Sequence, residues 1–173
     1  MTFDPQEVKR LLDESDQAAT ATARGARYEE LLAYVFDSVP DSLVVRNKRN
    51  FFGAEQIDLA VSHGGGFPGL PDKFLVECKN YGDPVDSKAI GYFLFICLSR
   101  SAELAIVAAA DGLTGNADDM TYAHSLAIAA SALGCRLVVI TTADLLSLGT
   151  VDDLQALLRE RFLSAWATGG IGA

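Results

Sequence analysis

Three ionisable residues lie on two segments in which apolar and polar positions alternate, the pattern of a half-buried β-strand. In the segment 56–62, Asp58 points away from the apolar face of its strand. In the segment 73–79, Glu77 and Lys79 are two residues apart and therefore share one strand face. If the two strands are neighbours, we expect the three polar side chains to meet on one face of one sheet.

Carboxylates gathered in this way repel one another and lose hydration, so a compensating cation stabilises them. Mg²⁺ is held by one or two carboxylates together with water and phosphate oxygens, and Asp58 and Glu77 can meet this demand. Lys79 would then add a positive charge that orients or deprotonates an attacking water, or that stabilises charge developing on phosphate oxygens. The alternative is a surface ion pair between Glu77 and Lys79, with Asp58 as an unrelated solvated carboxylate.

Two further polar residues flank this group. Glu29 lies at the inward edge of a helix predicted from about Arg24 to Ser38, where it can act as an additional metal ligand, directly or through water. Gln56 shares a strand face with Asp58 and can orient that carboxylate through a hydrogen bond.

A basic cluster precedes the first of the two strands. Arg46, Lys48 and Arg49, followed by Phe51 and Phe52, lie at or next to a segment whose composition predicts a turn. They could contact a phosphate backbone next to the metal site. A solvated hairpin tip is the equally weighted alternative.

The remaining periodicity predicts an α/β chain with a mixed central sheet flanked by helices. Turn-rich connections predict an antiparallel meander for the first three strands, and the alternation of strands and helices after Pro84 predicts a parallel extension of the sheet. The predicted helices span residues 5–17, 24–38, 87–99, 117–133, 143–148 and 150–166, and the predicted strands span residues 43–46, 56–62, 73–79, 104–109 and 136–141.

The composition indicates one ordinary globular domain. The chain has 173 residues, of which 50% are hydrophobic and 21% charged, with 3 cysteines in no metal-binding spacing. The sequence shows neither a secretory signal nor an apolar run that could span a bilayer, so we expect a cytoplasmic protein without a membrane partner. A formal net charge of -9 argues against nucleic acid, but the acidity is concentrated at the two ends of the chain.

Three motifs occur in a characteristic order along the chain. They are Gly25-Ala26-Arg27-Tyr28-Glu29 on a helix, Gln56-Ile57-Asp58-Leu59 on a strand, and Val76-Glu77-Cys78-Lys79-Asn80-Tyr81 at the end of the next strand. With these motifs the sequence resembles the PD-(D/E)xK nuclease superfamily and, within it, the catalytic domain of Mrr-type restriction endonucleases. The resemblance covers residues 25–148. It implies a restriction-endonuclease-like domain over residues 21–150, with an N-terminal helix and joint over 1–20 and an amphipathic helix and tail over 151–173.

The resemblance also implies a function. It implies a metal-dependent endonuclease of restriction or defence type that uses Mg²⁺ or Mn²⁺ to hydrolyse phosphodiester bonds of nucleic acid, with DNA favoured over RNA. Asp58, Glu77 and Glu29 would be the metal ligands, Lys79 the group that assists the attacking water, and Gln56 an orienting residue. Mrr-type enzymes often carry a separate DNA-reading domain, and residues 1–20 supply only one helix. A second copy or a partner protein would then provide target recognition. The alternative function is a non-catalytic or partner-dependent subunit that binds nucleic acid.

Overall fold

The chain forms an α/β structure in which helices flank one mixed six-stranded sheet. A computed structural model describes residues 3–49, 56–80 and 82–173. The elements in chain order are α1 (Pro5–Asp16), α2 (Ala21–Asp37), β1 (Ser42–Arg49), β2 (Gln56–His63), β3 (Lys73–Lys79), α3 (Ser87–Ser99), β4 (Leu104–Ala109), α4 (Ala117–Ala132), β5 (Arg136–Ile140), α5 (Thr142–Ser147), α6 (Val151–Thr168) and β6 (Ile171–Gly172).

The sheet has the strand order β1-β2-β3-β4-β5-β6. The strands β1, β2 and β3 pair antiparallel, whereas β3, β4, β5 and β6 pair parallel. The predicted meander and its parallel extension are therefore confirmed. The short strand β6 was not predicted, because two residues after a glycine pair carry no periodicity.

Local signals set most of the helix ends. The helix α2 begins at Ala21, three residues before the predicted start, because the Thr20 side chain accepts a hydrogen bond from the Ala23 backbone N–H. The Thr150 side chain caps α6 in the same way by accepting from the Asp153 backbone N–H. None of the helices in the described part of the chain is long and apolar enough to cross a membrane.

Each face of the sheet carries its own hydrophobic core. The helices α1, α2, α5 and α6 cover one face, where residues such as Tyr28, Leu32, Phe74 and Val76 are buried. The helices α3 and α4 cover the other face, where Leu75 and Val107 belong to the second core. Glu77 shares the strand face of Leu75, so it lies on the α3 side of the sheet.

The predicted turn at residues 47–50 is wrong over most of its length. The strand β1 continues to Arg49 and pairs Lys48 with Ile57 and Arg49 with Gln56. Arg46 and Lys48, on either side of Asn47, pair with Leu59 and Ile57, so the strand continues past Asn47, which keeps the left-handed φ of 51° that asparagine tolerates in turns. Arg46, Lys48 and Arg49 thus belong to an edge strand and not to a hairpin tip.

Candidate functional site

Asp58 and Glu77 come together where β2 and β3 stop pairing. The two strands pair from Ser62–Lys73 to Leu59–Val76, and Asp58 and Glu77 occupy the next position in that register. There the Asp58 Oδ2 atom accepts a hydrogen bond of 2.9 Å from the Cys78 backbone N–H. The carboxylate of β2 is therefore held against the backbone of the strand that carries Glu77.

Lys79 forms an ion pair with Glu77 on the same side of the sheet. The distance from Lys79 Nζ to Glu77 Oε1 is 2.7 Å, and the two side chains are only 17% and 15% exposed. Both residues pair with β4, where Glu77 lies beside Val107 and Lys79 beside Ala109. Apolar neighbours thus hold a charged pair in a partly dehydrated position, where its charges are screened less than at the surface.

Burial and like charge make the carboxylates hard to ionise. Burial raises the pKa of Glu77 to about 7, and the nearby Asp58 charge adds to this effect while Lys79 opposes it. Burial also raises the pKa of Asp58, against hydrogen bonds from the Cys78 N–H and from Gln56 and against the charge of Lys79. Strongly perturbed carboxylates beside a cation are typical of functional sites.

Glu29 lies close enough to these groups to sense their charge. Burial raises the pKa of Glu29, Asp58 raises it further, and a hydrogen bond from Asn47 together with the charges of Arg46 and Lys79 opposes the rise. Within residues 3–49, 56–80 and 82–173, however, no three His, Cys, Asp or Glu side chains are arranged as a metal-binding group. Asp58 and Glu77 are thus the pair that the structure brings together, and Glu29 as a direct ligand stays a prediction.

Asn47 connects the two outer members of the site. The Gln56 Nε2 atom donates to Asn47 Oδ1 over 3.0 Å, and the Gln56 side chain also hydrogen-bonds Asp58. Since Asn47 in turn hydrogen-bonds Glu29, the amides link Glu29 to Asp58 across β1 and β2. Asn47 was not predicted as a site residue, because asparagine is typical of turns. No periodicity marks it, because Leu43, Val44 and Val45 before it are consecutive apolar residues.

One basic residue of β1, Arg46, lies close enough to this group to act on it electrostatically. Arg46 and Lys48 are exposed, and the Arg46 charge is felt by Glu29. Phe51 and Phe52, which the sequence analysis placed with them, lie outside the described residues, as does the Tyr81 that ends the third motif.

A buried hydrogen-bond chain holds the end of β3 from the opposite side of the sheet. Asn80, which follows Lys79, donates through Nδ2 to Ser15 Oγ over 3.0 Å. Ser15 in turn donates to the Arg24 backbone carbonyl over 3.0 Å. The strand that carries Glu77 and Lys79 is therefore tied to both α1 and α2.

The comparisons with known proteins add no relationship to this geometry. No family model matches the chain, and no curated protein matches it.

Proposed function

We propose that this chain is a Mg²⁺-dependent endonuclease of the PD-(D/E)xK superfamily, with a restriction-endonuclease-like fold of Mrr type. Its substrate is nucleic acid, with DNA favoured over RNA, and its role is restriction or defence. One observation carries the proposal. Asp58 and Glu77 lie side by side at the ends of two strands, with the Lys79 ammonium 2.7 Å from Glu77. This is a pair of oxygen donors beside a point charge, the arrangement that phosphodiester hydrolysis with a hard cation requires.

The donor set fits Mg²⁺ or Mn²⁺. Two carboxylates supply hard oxygen ligands, and Mg²⁺ fills its remaining positions with water and phosphate oxygens, so a third protein carboxylate is not required. Burial, to which the Asp58 charge adds, raises the pKa of Glu77 to about 7, and a divalent cation would offset this cost of keeping both carboxylates ionised. Asp58 and Glu77 would hold the ion, which would supply Lewis-acid stabilisation of phosphate charge and a more acidic bound water.

The other polar residues act on the reactants and on the ligands. Lys79 orients the attacking water or stabilises the charge that grows on the phosphate oxygens. Gln56 orients Asp58, and Asn47 holds Gln56 in place. Arg46, Lys48 and Arg49 contact phosphates along the edge strand without reading bases.

The test compares variants that keep the shape of the ligands. Asp58→Asn and Glu77→Gln should each abolish Mg²⁺-dependent cleavage of DNA and weaken Mn²⁺ binding, measured by titration calorimetry, by at least about tenfold. Asp152→Asn, an exposed carboxylate in the first turn of α6, is the matched control and should change neither. Unchanged Mn²⁺ affinity in both site variants would contradict the assignment of the ligands.

A partner-dependent binding subunit is the second candidate function. The net charge of -9 favours it. In that case the purified chain would bind nucleic acid or a partner protein but would cleave no DNA with either Mg²⁺ or Mn²⁺. Cleavage that requires a second protein or a second copy of this chain would support the same reading.

A further inference from the structure

A groove of about 510 Å³ lies on the sheet face that carries the candidate site. Its floor consists of residues from β1, β2 and β3, and its far wall is the segment from Arg100 to Glu103 after α3. The size lies within the range of pockets that hold small organic ligands.

The strand register connects this groove directly to Asp58 and Glu77. Val45 pairs with Ala60, and Ala60 pairs with Leu75, which makes one row across the three strands. Asp58 lies two residues before Ala60 on β2, and Glu77 lies two residues after Leu75 on β3. Both therefore share the strand face of this row, at about 7 Å from it. This step is comparable to the backbone repeat of an extended nucleic-acid strand, so a substrate held at the carboxylates would place its next nucleotide over the row.

The floor of the groove is apolar and only partly covered. The row of Val45, Ala60 and Leu75 continues to Leu43, whose side chain is 64% exposed. On this face α3 packs against β4 and α4 packs against β5, which leaves the surface over β1 and β2 open. Leu43 is exposed and Val45 and Ala60 are partly exposed, so the groove offers an apolar ligand a contact surface.

The charges around the groove are balanced. The described residues that line it include two cations, Lys73 and Arg100, and two anions, Asp72 and Glu103. Binding of a duplex through its phosphates rests on an excess of Lys and Arg, which this lining does not provide. An unpaired base, unlike a base stacked inside a duplex, exposes an apolar face that can pack on apolar side chains.

We propose that this groove binds unpaired nucleobases next to the scissile phosphate, so that the substrate is single-stranded or locally unpaired nucleic acid. The inference rests on the proposed function, because it takes the phosphodiester at Asp58 and Glu77 as the neighbouring group. It names the substrate class of that site and places base contacts over Leu43, Val45 and Ala60.

The test separates base contacts from phosphate contacts. Fluorescence anisotropy would measure the affinity of the whole chain for labelled oligothymidylate, for an abasic strand of the same length and for a duplex, at one fixed salt concentration in EDTA. We expect oligothymidylate to bind about tenfold more tightly than the abasic strand, and more tightly than the duplex. Equal affinity for the abasic strand, or tighter binding of the duplex, would overturn the proposal.

A matched pair of variants locates the effect. Leu43→Gln removes apolar surface from the groove without adding charge, and Leu163→Gln does the same on α6, where the leucine is 60% exposed. Leu43→Gln should weaken oligothymidylate binding roughly fivefold and leave abasic binding unchanged, whereas Leu163→Gln should alter neither. Equal effects of the two variants would refute the location. So would a dimer of the wild-type chain in size-exclusion chromatography that Leu43→Gln converts to a monomer, because a second copy would then cover the groove.

The two proposals fail in distinguishable ways. If the Asp58→Asn and Glu77→Gln variants keep their Mn²⁺ affinity, the nuclease assignment fails whatever the groove binds. If metal-dependent cleavage is observed but abasic and base-bearing strands bind equally, only the groove assignment fails.

Discussion

At the residue scale, the candidate site depends on how Asp58 is held. Its Oδ2 atom accepts a hydrogen bond from the Cys78 backbone N–H, and its carboxylate also receives a hydrogen bond from the Gln56 side chain. These bonds compensate part of the cost of burying a charge beside Glu77. Asp58 is therefore positioned before any ion binds, which lowers the cost of ordering the site.

Lys79 should matter to the chemical step more than to binding. Its ammonium contacts Glu77 on the side of the sheet where the phosphate would lie, and its charge is most useful once negative charge has grown in the transition state. Lys79→Ala should lower the rate of cleavage by about 10² or more and leave the affinity for nucleic acid and Mn²⁺ nearly unchanged. Single-turnover kinetics and calorimetry measure the two effects separately.

Two comparisons sharpen this test. Lys79→Arg should restore little activity, because a planar guanidinium is neither a compact point charge nor a group that gives up its proton. Lys88→Ala, which removes an exposed lysine in the first turn of α3, is the control and should cleave at the wild-type rate. Near wild-type cleavage by Lys79→Ala would remove the catalytic assignment and favour the binding-subunit function.

At the scale of elements, a two-pronged ion pair fastens α6 to α5 and the sheet. The Arg161 Nη1 and Nη2 atoms donate to the two Asp144 carboxylate oxygens over 2.6 and 2.7 Å, and Nη1 also donates to the Val139 carbonyl over 2.6 Å. Asp144 closes the capping box of α5 with Thr141 as well. Burial opposes the ionisation of Asp144, but the hydrogen bonds from Arg161 and Thr141 outweigh it and hold the pKa of this carboxyl below its ordinary value of 3.8.

The Asp144 contribution to stability should depend on pH. Because the pKa is lower in the folded state than in the unfolded chain, ionised Asp144 stabilises the fold above the ordinary value, and this stabilisation disappears as the pH falls through the folded pKa. Asp144→Asn should lower the free energy of unfolding by about 2 kcal/mol at neutral pH. Urea denaturation over a pH series should show this difference shrinking under acid conditions.

Asp152→Asn again serves as the control. Asp152 is exposed in the first turn of α6 and lacks the contacts of a partly buried ion pair. It should change the free energy of unfolding by less than about 0.5 kcal/mol. If Asp144→Asn lowers the free energy of unfolding by the same amount across the acid range, Asp144 stabilises the fold through its shape and not through its charge.

At the scale of the whole molecule, the two faces of the sheet differ in how completely helices cover them. The α1, α2, α5 and α6 side is a closed core, whereas the other side combines the α3 and α4 core with the open surface beside Asp58 and Glu77. The buried hydrogen bond from Asn80 to Ser15 links the closed core to the site, because it fixes the end of β3 to α1 across 65 residues of sequence. The placement of the site therefore depends on the packing of the first helix.

Breaking this link should loosen the whole fold. Asn80→Ala and Ser15→Ala should each lower the free energy of unfolding by about 1–3 kcal/mol, because each removes the buried hydrogen bond between the two side chains. The double variant should lose clearly less than the two single losses added together, since both changes remove the same bond. Chemical denaturation measures all four chains, with Ser147→Ala, an exposed serine whose hydroxyl donates to the Asp144 carbonyl within α5, as the control. If the loss in the double variant equals the sum of the two single losses, the bond does not couple α1 to β3 energetically.

Much of the local structure follows from patterns within short segments. The predicted bounds of β3 and α3 agree with the structure, because the short apolar-rich run over residues 73–79 and the longer apolar run over 87–99 are properties of consecutive residues. The pairing of Asp58 with Glu77 and Lys79 was likewise predictable, since alternation assigns their strand faces and the meander makes the strands neighbours.

Contacts through space decided the rest. Asn47 alone is typical of a turn, and only the pairing of its neighbours Arg46 and Lys48 with β2 carries the strand past it and brings its side chain to Gln56. The bond from Asn80 to Ser15 and the open groove over Val45 and Ala60 depend on where helices pack, which no local periodicity encodes. The physical reason is one of range. Propensity and periodicity act over a few neighbouring residues, whereas cavities, buried hydrogen bonds and pKa shifts arise between residues that only the folded chain brings together.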